Sequence, residues 1–298
     1  MPKHDSTALA EYLRALERRP RANPDEELFD QGLAFDLETL LDRRGMLKLV
    51  GAASLGAGLL LAGCGTSSKS SGSTAASGAS AGAGTGTAGC APIPEETAGP
   101  YPADGTNGPD VLNQSGIVRR DIRSSFGELS GTAAGVPLTI LLTVEDTANG
   151  CAPLANAAVY LWHCDRDGNY SLYGVTDQNY LRGVQEADAD GIVTFTSIYP
   201  ACYAGRWPHI HFEVYPSLGA ATDAAKRIAT SQVALPKTTC TAVYATAGYE
   251  QSAANLRQVS LASDNVFGDD GGAQELGRVT GSIDAGLTVE LTVPVAVT

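Results

Sequence analysis

Arg206-Trp207-Pro208-His209-Ile210-His211-Phe212 is the stretch on which the reading of this chain turns. Its apolar and aromatic residues alternate with the two histidines, which is the period of a β-strand. Alternate side chains of a strand share a face, so His209 and His211 can offer two imidazoles to one metal ion. Strand histidines also serve simply as hydrogen-bonding or solvent-facing groups. His4 and His163 are the only other histidines in the chain, so any metal held here takes its remaining ligands from other residue types.

Outward from this stretch the chain reads as β structure. Val136 to Val144 is β-branched and apolar with no helical period. Ala157 to Cys164 is a second strand, with Val159, Leu161 and His163 on one face and Tyr160, Trp162 and Cys164 on the other. Tyr160 and Trp162 are expected in the sandwich core and His163 as a hydrogen-bonded core residue. Further strands are expected over Ile192 to Ser197, His209 to Tyr215, Ser231 to Leu235 and Thr288 to Val297, and short helices over Ala220 to Ala229 and Gly248 to Leu256. Short strands in series with Gly- and Asp-rich connections predict an all-β fold, an antiparallel β-sandwich with long loops and a few short helices.

The first quarter of the chain has a different character. Asp42-Arg43-Arg44-Gly45-Met46-Leu47-Lys48 precedes an uncharged apolar run from Leu49 to Ala62, shorter than the ~20 residues needed to span a bilayer. Basic, then apolar, then small residues is the order of an export signal, and the paired arginines resemble a twin-arginine signal. Leu61-Ala62-Gly63-Cys64 resembles a lipobox, which implies cleavage before Cys64 and lipidation of its sulfur. Residues 1–63 are therefore expected to be a signal region, 64–89 a flexible Ser/Gly/Ala tether, and 90–298 the folded domain, anchored outside the cytoplasm.

A formal net charge of -13 excludes a basic nucleic-acid surface, because phosphate binding needs clustered Lys and Arg. Small-molecule partners fit better. Beyond Cys64, five cysteines remain, at positions 90, 151, 164, 202 and 240; export makes disulfides plausible, the odd count leaves a thiol over, and sequence leaves the pairing open. Cys164, inside an apolar strand, fits a small buried residue. Arg119, Arg120, Asp121 and Arg123 form a charge cluster expected to be solvated ion pairs.

Counting histidines narrows the metal. A copper-zinc dismutase centre consumes six histidines, and a cupin takes a third downstream of His211, where none follows. Tyr170 and Tyr203 stand at two nearby turns. A phenol with an ordinary pKa near ~10 ligates poorly until a strongly charged cation favours the phenolate. Two phenolates with two imidazoles suit Fe(III) better than zinc or copper(I).

One known family carries this combination. Trp162-His163-Cys164-Asp165-Arg166-Asp167-Gly168-Asn169-Tyr170-Ser171, Leu181-Arg182-Gly183, Asp190-Gly191, Thr196-Ser197-Ile198-Tyr199-Pro200-Ala201-Cys202-Tyr203 and Arg206 to Phe212, taken in order, resemble the intradiol ring-cleavage dioxygenases. The likeness is to the exported single-domain members rather than to cytoplasmic enzymes with a helical dimerisation domain. Glu96-Thr97-Ala98-Gly99-Pro100-Tyr101 resembles the family segment near the substrate mouth, giving Gly99, Pro100 and Tyr101 as substrate-binding candidates.

The resemblance implies that Tyr170, Tyr203, His209 and His211 bind non-haem Fe(III), with Tyr203 the axial ligand that leaves when substrate binds. Tyr173 and Tyr180 fit the motif spacing less well. It implies Arg206 beside the reacting ring and Gln232 as the active-site glutamine. Cys202 departs from the family, which has a small residue there. The reaction implied is cleavage of a catechol-type diol by O2 between the two hydroxylated carbons, giving a muconate-type product. The other function class is a membrane-tethered β-sandwich that keeps the fold as a binding module.

Overall fold

The computed structural model describes residues 90–297. The expectations for residues 1–63 and 64–89, including lipidation of Cys64, lie outside the described residues. Nine strands run in chain order: β1 Pro137–Asp146, β2 Ala152–Pro153, β3 Ala158–Trp162, β4 Arg182–Glu186, β5 Ile192–Ile198, β6 His209–Tyr215, β7 Ala229–Ala234, β8 Arg278–Ser282 and β9 Gly286–Val295. Two short helices, α1 Lys237–Val243 and α2 Glu250–Leu256, lie between β7 and β8. No helix among the described residues is long and apolar enough to cross a membrane.

The strands form two sheets, as the all-β sandwich expectation requires. One runs β2-β1-β9-β8, with β5 also paired to β1; the other runs β4-β3-β6-β7. All pairings are antiparallel except β1 with β9, which lie parallel from Leu138↔Leu287 to Asp146↔Val295. Ile140, Leu142, Val159, Leu161, Phe195, Ile210, Phe212, Val214, Val289 and Val293 fill the space between the sheets.

The four-stranded sheet is buried on its other face too. Ala158, Tyr160, Trp162, Val184 and Tyr215 pack there beneath Ala103, Val111, Leu112 and Ile117, with Tyr170 from the loop after β3. Tyr160 and Trp162 are buried as expected, but on this outer face rather than between the sheets: β3 alternates, and the inter-sheet positions belong to Val159 and Leu161. His163 is buried, with Nε2 2.7 Å from Ser197 Oγ and Nδ1 2.7 Å from the Cys164 carbonyl oxygen.

The helix expected over Ala220 to Ala229 is not formed. Ala224–Lys226 make one 3-10 turn, begun by the Asp223 carboxylate accepting from Ala225 N, and from Ala229 the chain pairs with β6. A capped turn and the start of β7 leave too short a run for an α-helix, whatever its alanine content. The helix α1 appears instead just after Pro236. The Arg119 to Arg123 cluster is split: Arg123 pairs with Asp121 at the surface, whereas Arg119 Nε donates to the Arg182 carbonyl and its guanidinium lies over Phe126. Cys90 and Cys151 form a disulfide, and Cys164, Cys202 and Cys240 are free and buried.

One buried carboxyl has consequences for stability. Glu275 is 0% exposed; its Oε1 is 3.4 Å from Ser231 Oγ and its Oε2 has no hydrogen-bond partner. Burial, then the charges of Glu96 and Asp270, raise it from an ordinary 4.5 to about 8. The fold therefore favours the protonated form, so this contribution to stability is complete below the unfolded value near 4.5 and is lost as pH rises through about 8. Glu275→Gln stays neutral throughout, and its Tm should exceed the wild-type value by a few degrees at alkaline pH while matching it more closely under acid. Parallel Tm-against-pH curves for the two proteins would refute this assignment.

Candidate metal centre

The local sequence explains why four donors meet. On β6, Ile210, Phe212 and Val214 point between the sheets, so His209 and His211 must point to the outer face. Antiparallel pairing sets Trp162 opposite His211 on one side and Gln232 opposite it on the other. The Trp162 and His211 rings stack 4.9 Å apart at 3°. His209 Nδ1 lies 2.6 Å from the Trp207 carbonyl oxygen and donates to it, which leaves Nε2 with its lone pair facing the cluster.

Tyr170 arrives from a turn built by Asp165, whose Oδ1 accepts from Asp167 N and Asn169 N. Gly168 adopts φ +92°, and a Cβ there would lie 3.3 Å from Tyr203 Cβ, so glycine lets the two tyrosine loops approach. Tyr203 ends a segment gripped by the helices: Tyr249 OH donates to Tyr199 O, Tyr244 OH to Pro200 O, and Asn255 Nδ2 to Cys202 O, while Cys202 N donates to Ser252 Oγ. Cys202 is thus turned toward α2 and the Arg206 backbone, its Sγ 3.5 Å from Arg206 O.

The four candidate ligands converge. Tyr170 OH is 3.3 Å from His209 Nε2 and 3.2 Å from His211 Nε2; Tyr203 OH is 3.2 Å from His209 Nε2; the two Nε2 atoms are 3.1 Å apart and the two hydroxyls 3.5 Å. Bonds of about 2.0–2.1 Å to one cation would set oxygen and nitrogen donors about 2.9–3.4 Å apart. This cluster therefore fits a single ion with almost no rearrangement. Among the described residues no group of three or more His, Cys, Asp or Glu side chains could hold a metal ion, so a centre in this domain has to draw on phenols. Tyr180 lies apart, its hydroxyl donating to Asp165 Oδ2, and Tyr173 OH donates to Asn107 O.

Electrostatics separate what the pocket does alone from what a cation would do. Burial raises the Tyr170 phenol well above its ordinary value and raises that of Tyr203 to about 12 against the pull of Arg206. Burial also holds both imidazoles well below their ordinary range; Arg206 adds to this at His209, and His209 then Arg206 at His211. Alone, the cluster is four neutral groups, two of them phenols that only a strong positive charge would ionise.

Arg206 and Gln232 lie beside the cluster. Arg206 is 7% exposed, not a surface ion-pair residue: its Nε donates to Asp264 Oδ2 at 3.0 Å, its Nη2 to Gln232 Oε1 at 2.7 Å, and its Nη1 lies 3.5 Å from His209 Nε2. Gly99 and Tyr101 border the cluster, with the Tyr101 ring 5.0 Å from those of Tyr170 and Tyr173, and Pro100 O accepts from Asn107 Nδ2. Sequence reading missed Asp264, which is 58 positions from Arg206 with no motif around it, and the Trp162 stack.

A β-sandwich carrying a buried cluster of two phenols and two imidazoles defines a narrow class, and the comparisons agree with it. Residues 107–211, which contain all four candidate ligands and Arg206, match the family model Dioxygenase_C, described as dioxygenase. Over that stretch the domain is similar to dioxygenases. Hydroxyquinol 1,2-dioxygenase of Corynebacterium glutamicum is 30% identical over 106 residues, 30% of this chain and 35% of that protein. Chlorocatechol 1,2-dioxygenase of Rhodococcus opacus is 38% identical over 63 residues, 20% of this chain and 24% of that protein. The chain thus spans about a third or less of these curated relatives. An intradiol ring-cleavage dioxygenase from Tetranychus urticae shares the fold, with a TM-score of 0.54 at 24% identity over 70% of this chain and 95% of that one.

Gly99 offers a direct check of how the outer face is packed. It sits at φ +69°, and an added Cβ would lie 3.3 Å from His211 Cε1. Gly99→Ala should cost about 1–2 kcal/mol from the left-handed backbone and also displace the His211 ring. Gly127→Ala, at φ +67° with nothing near its added Cβ, should cost the backbone amount alone. Denaturant midpoints measure the costs. Near-ultraviolet circular dichroism should register the disturbed Trp162 stack in the first variant only, and unchanged spectra in both would contradict the packing described.

Proposed function

We propose that this chain is an intradiol dioxygenase in which Tyr170, Tyr203, His209 and His211 hold non-haem Fe(III) and a catechol-type diol is cleaved by O2 between its hydroxylated carbons, giving a muconate-type product. The observation that carries this reading is the convergence of four uncharged donors, linked by five contacts of 3.1–3.5 Å, beside a buried arginine. When bound, the ferric ion supplies Lewis acidity to a chelated diol and accepts ring electron density, which opens a ring carbon to O2.

The chain's own residues do the rest. Tyr203 is the half-buried member of the set, whereas Tyr170, His209 and His211 are buried, so Tyr203 is the donor with room to yield to a substrate. Once free, its phenolate oxygen could take up one of the diol's two protons, the other passing to solvent. Arg206 Nη1 is the face of the guanidinium left to the reacting ring, and it stabilises negative charge developing there. Gly99, Pro100 and Tyr101 form one wall of the substrate space, with the Tyr101 ring against Tyr170.

Export fits the same picture. The Cys90–Cys151 disulfide at the start of the domain supports an oxidising compartment, in keeping with a twin-arginine signal and a lipid on Cys64 that tethers the protein outside the cytoplasm.

The test is to purify the domain from residue 65 onward, measure iron, and follow O2 uptake with catechol and hydroxyquinol. The expected protein is red-brown, holds one iron per chain, and consumes O2 in step with formation of a ring-opened diacid. Tyr170→Phe and His211→Ala should each weaken iron binding by more than ~10²-fold and bleach the colour, while Tyr180→Phe keeps both. A colourless protein indifferent to ferric ion and to diols would overturn the reading and leave the binding-module alternative.

A further inference from the structure

Arg206 is held by more than its place beside His209. Asp264 lies in the loop between α2 and β8, is 3% exposed, and uses both carboxylate oxygens. Oδ2 accepts from Arg206 Nε at 3.0 Å and from Trp207 N at 2.6 Å; Oδ1 accepts from Val266 N at 2.9 Å and Phe267 N at 3.1 Å. One side chain therefore fastens two chain segments, the turn 264–267 and the start of the strand that bears the histidines. The turn it closes sets the Phe267 ring 5.9 Å from the Arg206 guanidinium carbon. Gln232 takes the opposite side of the guanidinium and is itself anchored, its Nε2 donating to Thr97 O at 2.9 Å.

We infer that Asp264 is a positioning residue which, with Gln232, fixes the Arg206 guanidinium so that Nη1 alone is offered to the reacting ring. This rests on the dioxygenase reading above. A guanidinium held through one nitrogen could rotate about its long side chain; held through Nε and Nη2 by two anchored acceptors, it cannot turn without breaking both bonds. Asp264 also supplies the counter-charge that lets a cation stay buried beside two imidazoles and, when loaded, a ferric ion. Without it Arg206 would be driven toward solvent by both.

Asp264 touches neither substrate nor iron, so its effect should pass through Arg206 alone, and a double-mutant cycle isolates that path. Asp264→Asn keeps the shape and an oxygen for the turn but removes the charge. The single variant should retain its iron and its red-brown absorption, hold KM for catechol within a few-fold of wild type, and lose about 10²-fold in kcat. In an Arg206→Gln background, already slow, Asp264→Asn should change kcat less than about twofold. Equal losses of kcat in the two backgrounds, or loss of iron and colour from Asp264→Asn, would overturn the inference. If Asp264→Asn does not fold, Asp264→Glu, which keeps the charge at a longer reach, is read through the same cycle: loss of kcat with Arg206 and none with Gln at 206 supports it, equal loss refutes it. A wild type that fails to turn over diols condemns the dioxygenase reading instead, which keeps the two failures apart.

Discussion

The structure depends on one strand doing two jobs. β6 is buried on both faces, and its period of two sorts its residues: Ile210, Phe212 and Val214 into the inter-sheet core, His209, His211, Glu213 and Tyr215 outward. A strand with polar groups on a buried face needs a roof that answers them, since unmet polar groups are costly away from water. The segments 98–117 and 164–173 are that roof. Arg182 on the neighbouring β4 draws them together: its guanidinium donates to Pro102 O, to Ser171 O and to Ser171 Oγ. The site is where sheet and roof meet, so its rigidity is inherited from the core beneath it.

Charge follows the same economy. Arg206 is buried beside four groups that burial keeps neutral, and its one direct anionic partner is Asp264, also buried. Removing one member of such a pair typically costs 3–5 kcal/mol, because the other charge is stranded. That asymmetry explains why the cation stays where it is. The phenols and imidazoles around it are neutral, and their donor atoms already lie close together.

What was legible in the sequence was what period and composition encode. The His-x-His strand, the apolar alternation of β1, β3 and β5, and the Asp-Gly-Asn turn before Tyr170 are local signals, and the structure keeps them at nearly the expected places. Which sheet face is the core is not local: Tyr160 and Trp162 read as core because they are large and aromatic, yet the outer face is roofed and takes them. The 220–229 region is instead a loop with one 3-10 turn that Asp223 caps before β7 begins at Ala229. The parallel β1–β9 pair and the Asp264–Arg206 link join positions far apart in the chain, and nothing in either neighbourhood announces the other.

The grip on Tyr203 differs in kind from the grip on the other donors, and the difference bears on function. Tyr244 and Tyr249 fix the carbonyls of Pro200 and Tyr199, and Ser252 and Asn255 fix both polar groups of the Cys202 backbone, so the chain is immobilised up to the residue before Tyr203. The Tyr203 side chain is half-buried against the outer-face apolar cluster, with its ring and hydroxyl beside Tyr170 and His209. His211, in contrast, is trapped between the Trp162 ring and the Gly99 backbone, and His209 is pinned through Nδ1. A fixed backbone with a half-buried side chain is the arrangement that the proposed release of Tyr203 would need. Cys202, where the resembled family has a small residue, turns its thiol toward Arg206 O and so away from the Tyr203 ring.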